Sequence, residues 1–204
     1  LDGPNLEARA RSARRAAIGT EALTGHTADD QAETVLLALF RGSGATGLAG
    51  IRHGPTKPII RLRRAETYSL CKRLGLPIVY DESNDDPRFR RNRIRQELLP
   101  LAADIFDRDV SVLIERAAGL LRDDDVLLDE LAAAIDPTDA VAIAAAPLPL
   151  ARRSLRLWLT EGGYPPSAAA IERVLAVAHG EAAACDVAGG RRVHRSRQRL
   201  RLSH

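Results

Sequence analysis

Carboxylates crowd one short stretch of this sequence. Asp29, Asp30 and Glu33 follow His26 within Gly25-His26-Thr27-Ala28-Asp29-Asp30-Gln31-Ala32-Glu33-Thr34. On a helix that begins at Ala28, at about 100° per residue, the three acids fall along one flank of an apolar stripe of Ala32, Val35, Leu36 and Leu39. Two of them have an ordinary explanation. Thr27 to Asp30 resembles a capping box, and first-turn acids gain roughly 0.3–1 kcal/mol each from the helix dipole. Glu33 is harder to dismiss, because three like charges on one flank repel unless a cation sits among them. A Mg²⁺ ion or a substrate ammonium would satisfy the group, whereas a bare phosphate would not. The pattern points to a place that receives an amine or a metal-bound nucleotide.

Arginines form the second constellation. Arg88, Arg90, Arg91, Arg93 and Arg95 crowd one segment around Asn92. They read either as a solvated helix end or as phosphate contacts that position a nucleic acid without reading its sequence. The run Arg191, Arg192, Arg195, Arg197, Arg199 and Arg201 is more simply the outer face of a hairpin. Lys57 and Lys72 are the only lysines, so an arginine at any one site carries little information by type. A net charge of +3 is too small to argue nucleic-acid binding from the total, which leaves clustering as the only argument.

The elements that position these residues follow from periodicity. A helix is expected over 5–18 and a brief strand over 21–25, then a helix from Ala28 to about Arg41 closed by Gly42-Ser43-Gly44. Residues 58–62 read as extended, 64–74 as a helix stopped by Gly75, and 78–80 as a strand. Alternating strands and helices are the rhythm of an α/β domain with a parallel sheet. His26 would then lie at the carboxyl end of a strand, where such sheets bind ligands. Beyond Asp81 a basic helix over 88–99 ends at Pro100, and helical periodicity runs from Asp104 to Ile135. Helices over 150–161 and 167–178 lead to a terminal hairpin around Gly189-Gly190. Phe40 and Trp158 read as core residues.

At 204 residues, with 45% hydrophobic and 28% charged, the chain can bury a sizeable core, and no run reaches the roughly 18 apolar residues of a membrane helix. A soluble, cytoplasmic, membrane-free protein is expected. Cys71 and Cys185 form no CxxC pair, so neither a disulfide framework nor a metal cluster is expected. The chain contains no methionine and starts at Leu1, which reads as an internal piece of a longer protein.

The acidic helix entrance, with Arg41-Gly42-Ser43-Gly44 and Gly47-Leu48-Ala49-Gly50 after it, closely resembles the tRNA(Ile)-lysidine synthases of the PP-loop, or N-type ATP pyrophosphatase, superfamily. The similarity continues through Asp81-Glu82-Ser83-Asn84-Asp85, Phe89-Arg90-Arg91-Asn92-Arg93-Ile94-Arg95 and Leu98-Leu99-Pro100. It extends to Arg152-Arg153-Ser154-Leu155-Arg156-Leu157-Trp158-Leu159 and the Gly-Gly hairpin. The resemblance implies a partial Rossmann-like adenine nucleotide alpha hydrolase (PP-loop ATPase) domain with a parallel sheet, then a mainly helical second domain ending in a β-hairpin. It divides the chain into the C-terminal portion of the catalytic domain (1–90), a helical linker region (91–140) and a small α+β substrate-binding domain (141–204).

The implied reaction uses ATP, with Mg²⁺, to adenylate the C2 oxygen of the wobble cytidine in an isoleucine tRNA with a CAU anticodon. The ε-amine of free L-lysine then displaces AMP. By motif match His26, Asp29, Asp30 and Glu33 are the catalytic candidates, with Asp30 and Glu33 holding the lysine. Arg41, Gly42, Ser43 and Gly44 would lie near the nucleotide, and Arg88, Arg91, Asn92, Arg93 and Arg95 near the tRNA. A homodimer is among the partner expectations. The family's SGGxDS-like phosphate loop does not occur in the sequence and is expected upstream of Leu1. Two other readings stay open: a PP-loop tRNA thiolase, disfavoured by the missing CxxC, and a tRNA-binding fragment without catalysis.

Overall fold

The computed structural model describes residues 13, 17, 19, 21–160 and 165–203. The chain divides into two compact units, Leu1–Arg122 and Asp123–His204. The helix expected over 5–18 lies outside the described residues, apart from Ala13 and Ala17, which are helical.

In the first unit, helix α1 (Ala28–Leu39) starts where Thr27 is extended and the Asp30 carboxylate reaches back to it. Its buried stripe of Ala28, Ala32, Val35 and Ala38 packs inward. Ala32 belongs to a core with Ile94, Leu99 and Val110, flanked by Leu36, Leu37, Leu98, Ala102 and Ile114. The helix ends at Phe40, and Gly42 at φ 71° makes the left-handed turn that only glycine adopts freely. Phe40, expected in the core, is instead 67% exposed, because it follows the last helical residue and its ring lines a surface groove.

After the short helix α2 (Ala45–Leu48), the chain is tied back to α1 by one side chain. The wholly buried Gln31 amide donates from Nε2 to the Ile51 carbonyl at 2.7 Å and accepts from the Ile51 N–H at 2.7 Å. This imitates one rung of a β-ladder. Gly50 makes it possible: a Cβ there would stand 2.4 Å from Gln31 Oε1, and its φ is 71°.

The strands expected over 21–25, 58–62 and 78–80 do not form among the described residues. A strand exists only through a ladder partner, and here Thr24 pairs with Thr56 through a single backbone bond of 2.8 Å. Residues 57–62 instead fold into turns, closed by Ile60 N to Lys57 O and Leu62 N to Ile59 O. Helix α3 (Arg64–Arg73) follows, begun by Glu66 accepting from the Arg63 N–H at 2.6 Å and stopped by Gly75.

A 3₁₀ turn (Glu82–Asp85) leads into helix α4 (Arg90–Arg93), a π turn (Ile94–Leu98) and helix α5 (Leu99–Phe106). The basic helix therefore runs through Pro100 rather than ending at it. In a regular α turn the proline ring would meet the carbonyl four residues back; the wider π turn just before it relieves that clash. The helix stops instead at Asp107, whose φ of 49° ends α5 and interrupts the periodicity expected from Asp104 onward. Helix α6 (Val110–Ala133) begins in the first unit and ends in the second.

In the second unit, α7 (Ala140–Ala145) is capped by Asp139, which accepts from the N–H groups of Val141 and Ala142. Helices α8 (Leu148–Thr160) and α9 (Ala168–His179) fall where periodicity placed them. The expected hairpin is present, and a third strand completes an antiparallel sheet of β1 (Ala184–Val187), β2 (Arg191–Ser196) and β3 (Arg199–Ser203) in that order. Register sets Cys185, Val193 and Leu202 side by side on the face toward the helices. Ile143, Leu155, Leu159, Ile171, Val174, Val193 and Leu200 make the core, and Trp158 packs against it as expected.

Leu155 is fully buried, so Leu155→Ala should lose about 2–5 kcal/mol of stability through transfer and cavity terms. Chemical denaturation checks this, with the half-exposed Leu157→Ala expected to stay within about 0.5 kcal/mol of the parent chain.

Candidate functional site

The three carboxylates of α1 come together as expected, but arginines of the same chain occupy the space between them. Glu33 has no exposed side-chain surface, and its two oxygens receive Arg91 Nε at 2.6 Å and Arg95 Nε at 2.7 Å. Arg64 Nη2 stands farther off, 3.4 Å from both Glu33 and Asp30. Asp30 also accepts from Arg91 Nη2 at 3.1 Å. Asp29 is bound by Arg63 Nη2 at 3.0 Å and by the backbone N–H of Arg64 at 2.7 Å, so it caps the first turn of α3. The mutual repulsion that called for a bound cation is relieved from within.

Burial alone would raise the pKa of Asp30. The N–H and hydroxyl of Thr27, with the Arg91 and Arg64 guanidinium groups, outweigh it and hold the carboxyl below its ordinary value. Arg95, bonded to Glu33, is held even more firmly protonated than a free arginine. The result is a graded site. Arg91 and Arg95 are 22% and 25% exposed and bond tightly; Arg64 is 41% exposed and bonds loosely. A cationic ligand arriving from solvent meets the Arg64 side first, at Asp30, which is 15% exposed.

His26 lies beside this entrance. Its Nδ1 is 2.8 Å from Thr24 Oγ1, and Thr24 donates from both its backbone N–H and its hydroxyl to the Thr56 carbonyl. The entrance segment is thereby fastened to the loop over 54–62, whose far end accepts from Ala28 N at Leu62 O (2.9 Å).

The other expected site residues divide. Arg41–Gly44 lies at the opposite end of α1 from Asp30, about 16 Å along the axis at 1.5 Å per residue. The N–H groups of Arg41 and Ser43 donate to Ala38 O and that of Gly42 to Leu39 O. They close the helix and are not available as a phosphate cradle. What remains there is the Arg41 guanidinium, lining a cavity of about 370 Å³ with Arg90, Arg93 and Glu97. Among the candidate tRNA contacts, Arg88 and Arg93 are exposed and pair with Asp86 and Glu97. Arg91 and Arg95 turn inward to Glu33. Asn92 is buried and donates from Nδ2 to the carbonyls of Ser83 (2.8 Å) and Asp86 (2.9 Å), fixing the acidic turn onto the helix.

Sequence reasoning missed Arg63, Arg64 and Gln31. The i, i+4 spacing of Arg91 and Arg95 was a readable signal that both point the same way. No signal named Glu33 as their target. Among the described residues no group of three or more His, Cys, Asp or Glu side chains is arranged to hold a metal ion. The carboxylates expected to take Mg²⁺ are committed to guanidinium groups. Among the same residues no helix is long and apolar enough to cross a membrane.

Glu33→Gln would remove the shared counter-charge of Arg91 and Arg95, leaving them only Asp30, and should cost about 3–5 kcal/mol in urea denaturation. Because the fold lowers the pKa of Asp30, its contribution is complete above its ordinary value of 3.8 and is lost as the pH falls below that. Asp30→Asn should flatten that part of the acid limb of a stability–pH curve.

The comparisons with known proteins agree with this organisation. The PP-loop domain family matches residues 2–102 and the TilS substrate binding domain family matches residues 139–201. A tRNA(Ile)-lysidine synthase of Mycolicibacterium paratuberculosis is 44% identical over 178 residues, covering 80% of this chain and 56% of the relative. Its namesake in Mycobacterium tuberculosis is 42% identical over 175 residues, covering 77% and 54%. The protein of that name in Cutibacterium acnes is 38% identical over 205 residues, covering 93% and 64%. The chain thus spans 54–64% of the length of these curated relatives. A PP-loop domain and a TilS substrate binding domain in one chain, joined to these identities, establish that the chain belongs to the tRNA(Ile)-lysidine synthase family.

Proposed function

We propose that the protein containing this chain ligates lysine to C2 of the wobble cytidine of a tRNA(Ile) with a CAU anticodon, through an adenylated tRNA. The observation that carries the reading is the entrance of α1, just after His26, where an ionised, partly exposed Asp30 is bonded by Arg91 at 3.1 Å and only loosely, at 3.4 Å, by the more exposed Arg64. An ionised carboxylate attracts the lysine ammonium, and charge-assisted hydrogen bonds of this kind contribute about 1.5–3 kcal/mol.

In this reading Asp30 orients the amine, and His26 or Asp29 receives the proton it sheds as its nitrogen attacks C2. Glu33 holds Arg91 and Arg95 and thereby fixes the floor beneath Asp30. ATP supplies the activation of the C2 oxygen as an adenylate; Arg41 is the contact this chain offers its phosphates, and Mg²⁺ arrives with the nucleotide rather than in a protein cage. Arg88 and Arg93 are the surface cations of the basic segment that meet the tRNA, with Arg91, Asn92 and Arg95 positioning them.

The test uses the full-length protein, ATP, labelled lysine and a tRNA(Ile) transcript. The parent protein should label the tRNA, and Asp30→Asn should raise the KM for lysine about tenfold, the loss of one charge-assisted bond, while ATP affinity holds within about twofold. A fall in ATP affinity with lysine use intact would overturn the assignment of this flank. Absence of labelled tRNA with the parent protein would overturn the function.

A further inference from the structure

No acidic residue occurs between Glu33 and Glu66, and that interval carries Arg52, His53, Lys57 and Arg61 on the loop after α2. The loop is fastened at three points: Ile51 to Gln31, Thr56 to Thr24, and Leu62 to Ala28. A segment held this way presents its cations from a fixed backbone. Arg122, on the first-unit part of α6, joins the same region by donating from Nη2 to the Ala49 carbonyl at 2.9 Å. Its buried Nε has no hydrogen-bond partner among the described residues.

Three of these charges have no carboxylate of their own among the described residues. Among the described residues Lys57, Arg61 and Arg122 make no ion pair, and the hydrogen bond from Lys57 Nζ is a long one of 3.4 Å to Thr56 Oγ1. Among the described residues Glu115 is the acidic group acting on His53, against Arg122, Arg61 and Lys57. Burial first, then those three cations, lower the pKa of His53. The surroundings of His53 are therefore net positive, unlike those of Arg63, Arg64, Arg91 and Arg95, each of which has its carboxylate.

We infer that the fastened loop carrying His53, Lys57 and Arg61, with Arg122 behind it, is a landing site for the phosphodiester backbone of RNA beside the α1 entrance. The inference rests on the tRNA reading above and adds to it a surface no motif singled out. Thr56, next to Lys57, accepts the two Thr24 hydrogen bonds, and Thr24 contacts His26. A strand held at Lys57 and Arg61 is thereby kept near the residues proposed to handle the attacking amine. Fixed cations on phosphate position an RNA without reading its bases.

The experiment measures tRNA affinity across a salt series for the full-length protein and for its Lys57→Glu/Arg61→Glu variant, with ATP binding and thermal denaturation followed in parallel. Each phosphate that a cation no longer neutralises lowers the slope of log K against log salt by about 0.7 on a single strand, or about 0.9 on a duplex. The variant should lose at least about tenfold in tRNA affinity at low salt, and its slope should fall by the amount expected of one or two phosphates. ATP affinity and melting should be unchanged. Lys72→Glu/Arg73→Glu, on α3, serves as a charge-matched control and should stay within about twofold. Parent-like affinity and slope in the double variant would overturn the site while leaving the tRNA reading intact. Loss of ATP binding in place of tRNA binding would assign the cations to the nucleotide and overturn it as well. A parent protein that does not bind tRNA would fail at the underlying reading.

Discussion

A carboxylate with no exposed surface has to be matched by positive charge, and in this chain the match is Glu33 with Arg91 and Arg95. Much of the first unit follows from that requirement. The two arginines sit four residues apart on the helical run over 90–98, so satisfying Glu33 draws the run against α1 and sets Ile94 into the core beside Ala32. With Arg91 turned inward, Asn92 faces the acidic turn and binds its carbonyls. Burial of Glu33 is also why the group cannot be taken apart cheaply: without its arginines the carboxylate would be an unpaired charge away from water.

The same electrostatics distinguish the inner part of the site from its rim. Asp29 is absorbed into the start of α3, and Glu33 into the arginine pair. Asp30 keeps partial access to solvent, and Arg64 stands beside it at a distance too long for a strong hydrogen bond. Attractive and replaceable charge is therefore concentrated at one place on the helix entrance, next to His26. The amide of Gln31 achieves something comparable without charge, standing in for a β-rung so that the loop after α2 returns to the same entrance.

The second unit depends on a different kind of constraint. Its sheet is held in register by alternation, with Val193 and Leu200 inward, and its arginines are divided by the same two-residue period. Arg191 and Arg195 lie on the inward side, where they donate to the carbonyls of Leu159 and Ala178 near the ends of α8 and α9. Arg192 and Arg201 lie on the outer side. A run that reads in sequence as one basic cluster is thus divided between two faces, and Arg191 and Arg195 of it finish helix ends.

Local rules made much of this legible in the sequence. Thr27 with Asp30 marked the start of α1, Gly42 and Gly75 marked stops, Gly189-Gly190 marked a turn, and the 3.6-residue periodicity placed α8 and α9. The acidic entrance and the basic segment were visible as motifs, because residue type and spacing are all a motif needs. Tertiary structure decided their relation. Glu33 and its arginines are 58 and 62 residues apart, and no spacing rule reaches across such an interval to say that the cation required by the acids is the chain's own. The three expected strands failed for a related reason: extended propensity is local, but a strand is completed by a hydrogen-bonding neighbour elsewhere. Pro100 ended the helix by local rule and was overruled by a π turn that gave its ring room. The sequence by itself determined most of the helices, the terminal turn and the family; only the folded chain decided which extended segments find a partner, which charges neutralise one another and which are left to meet a ligand.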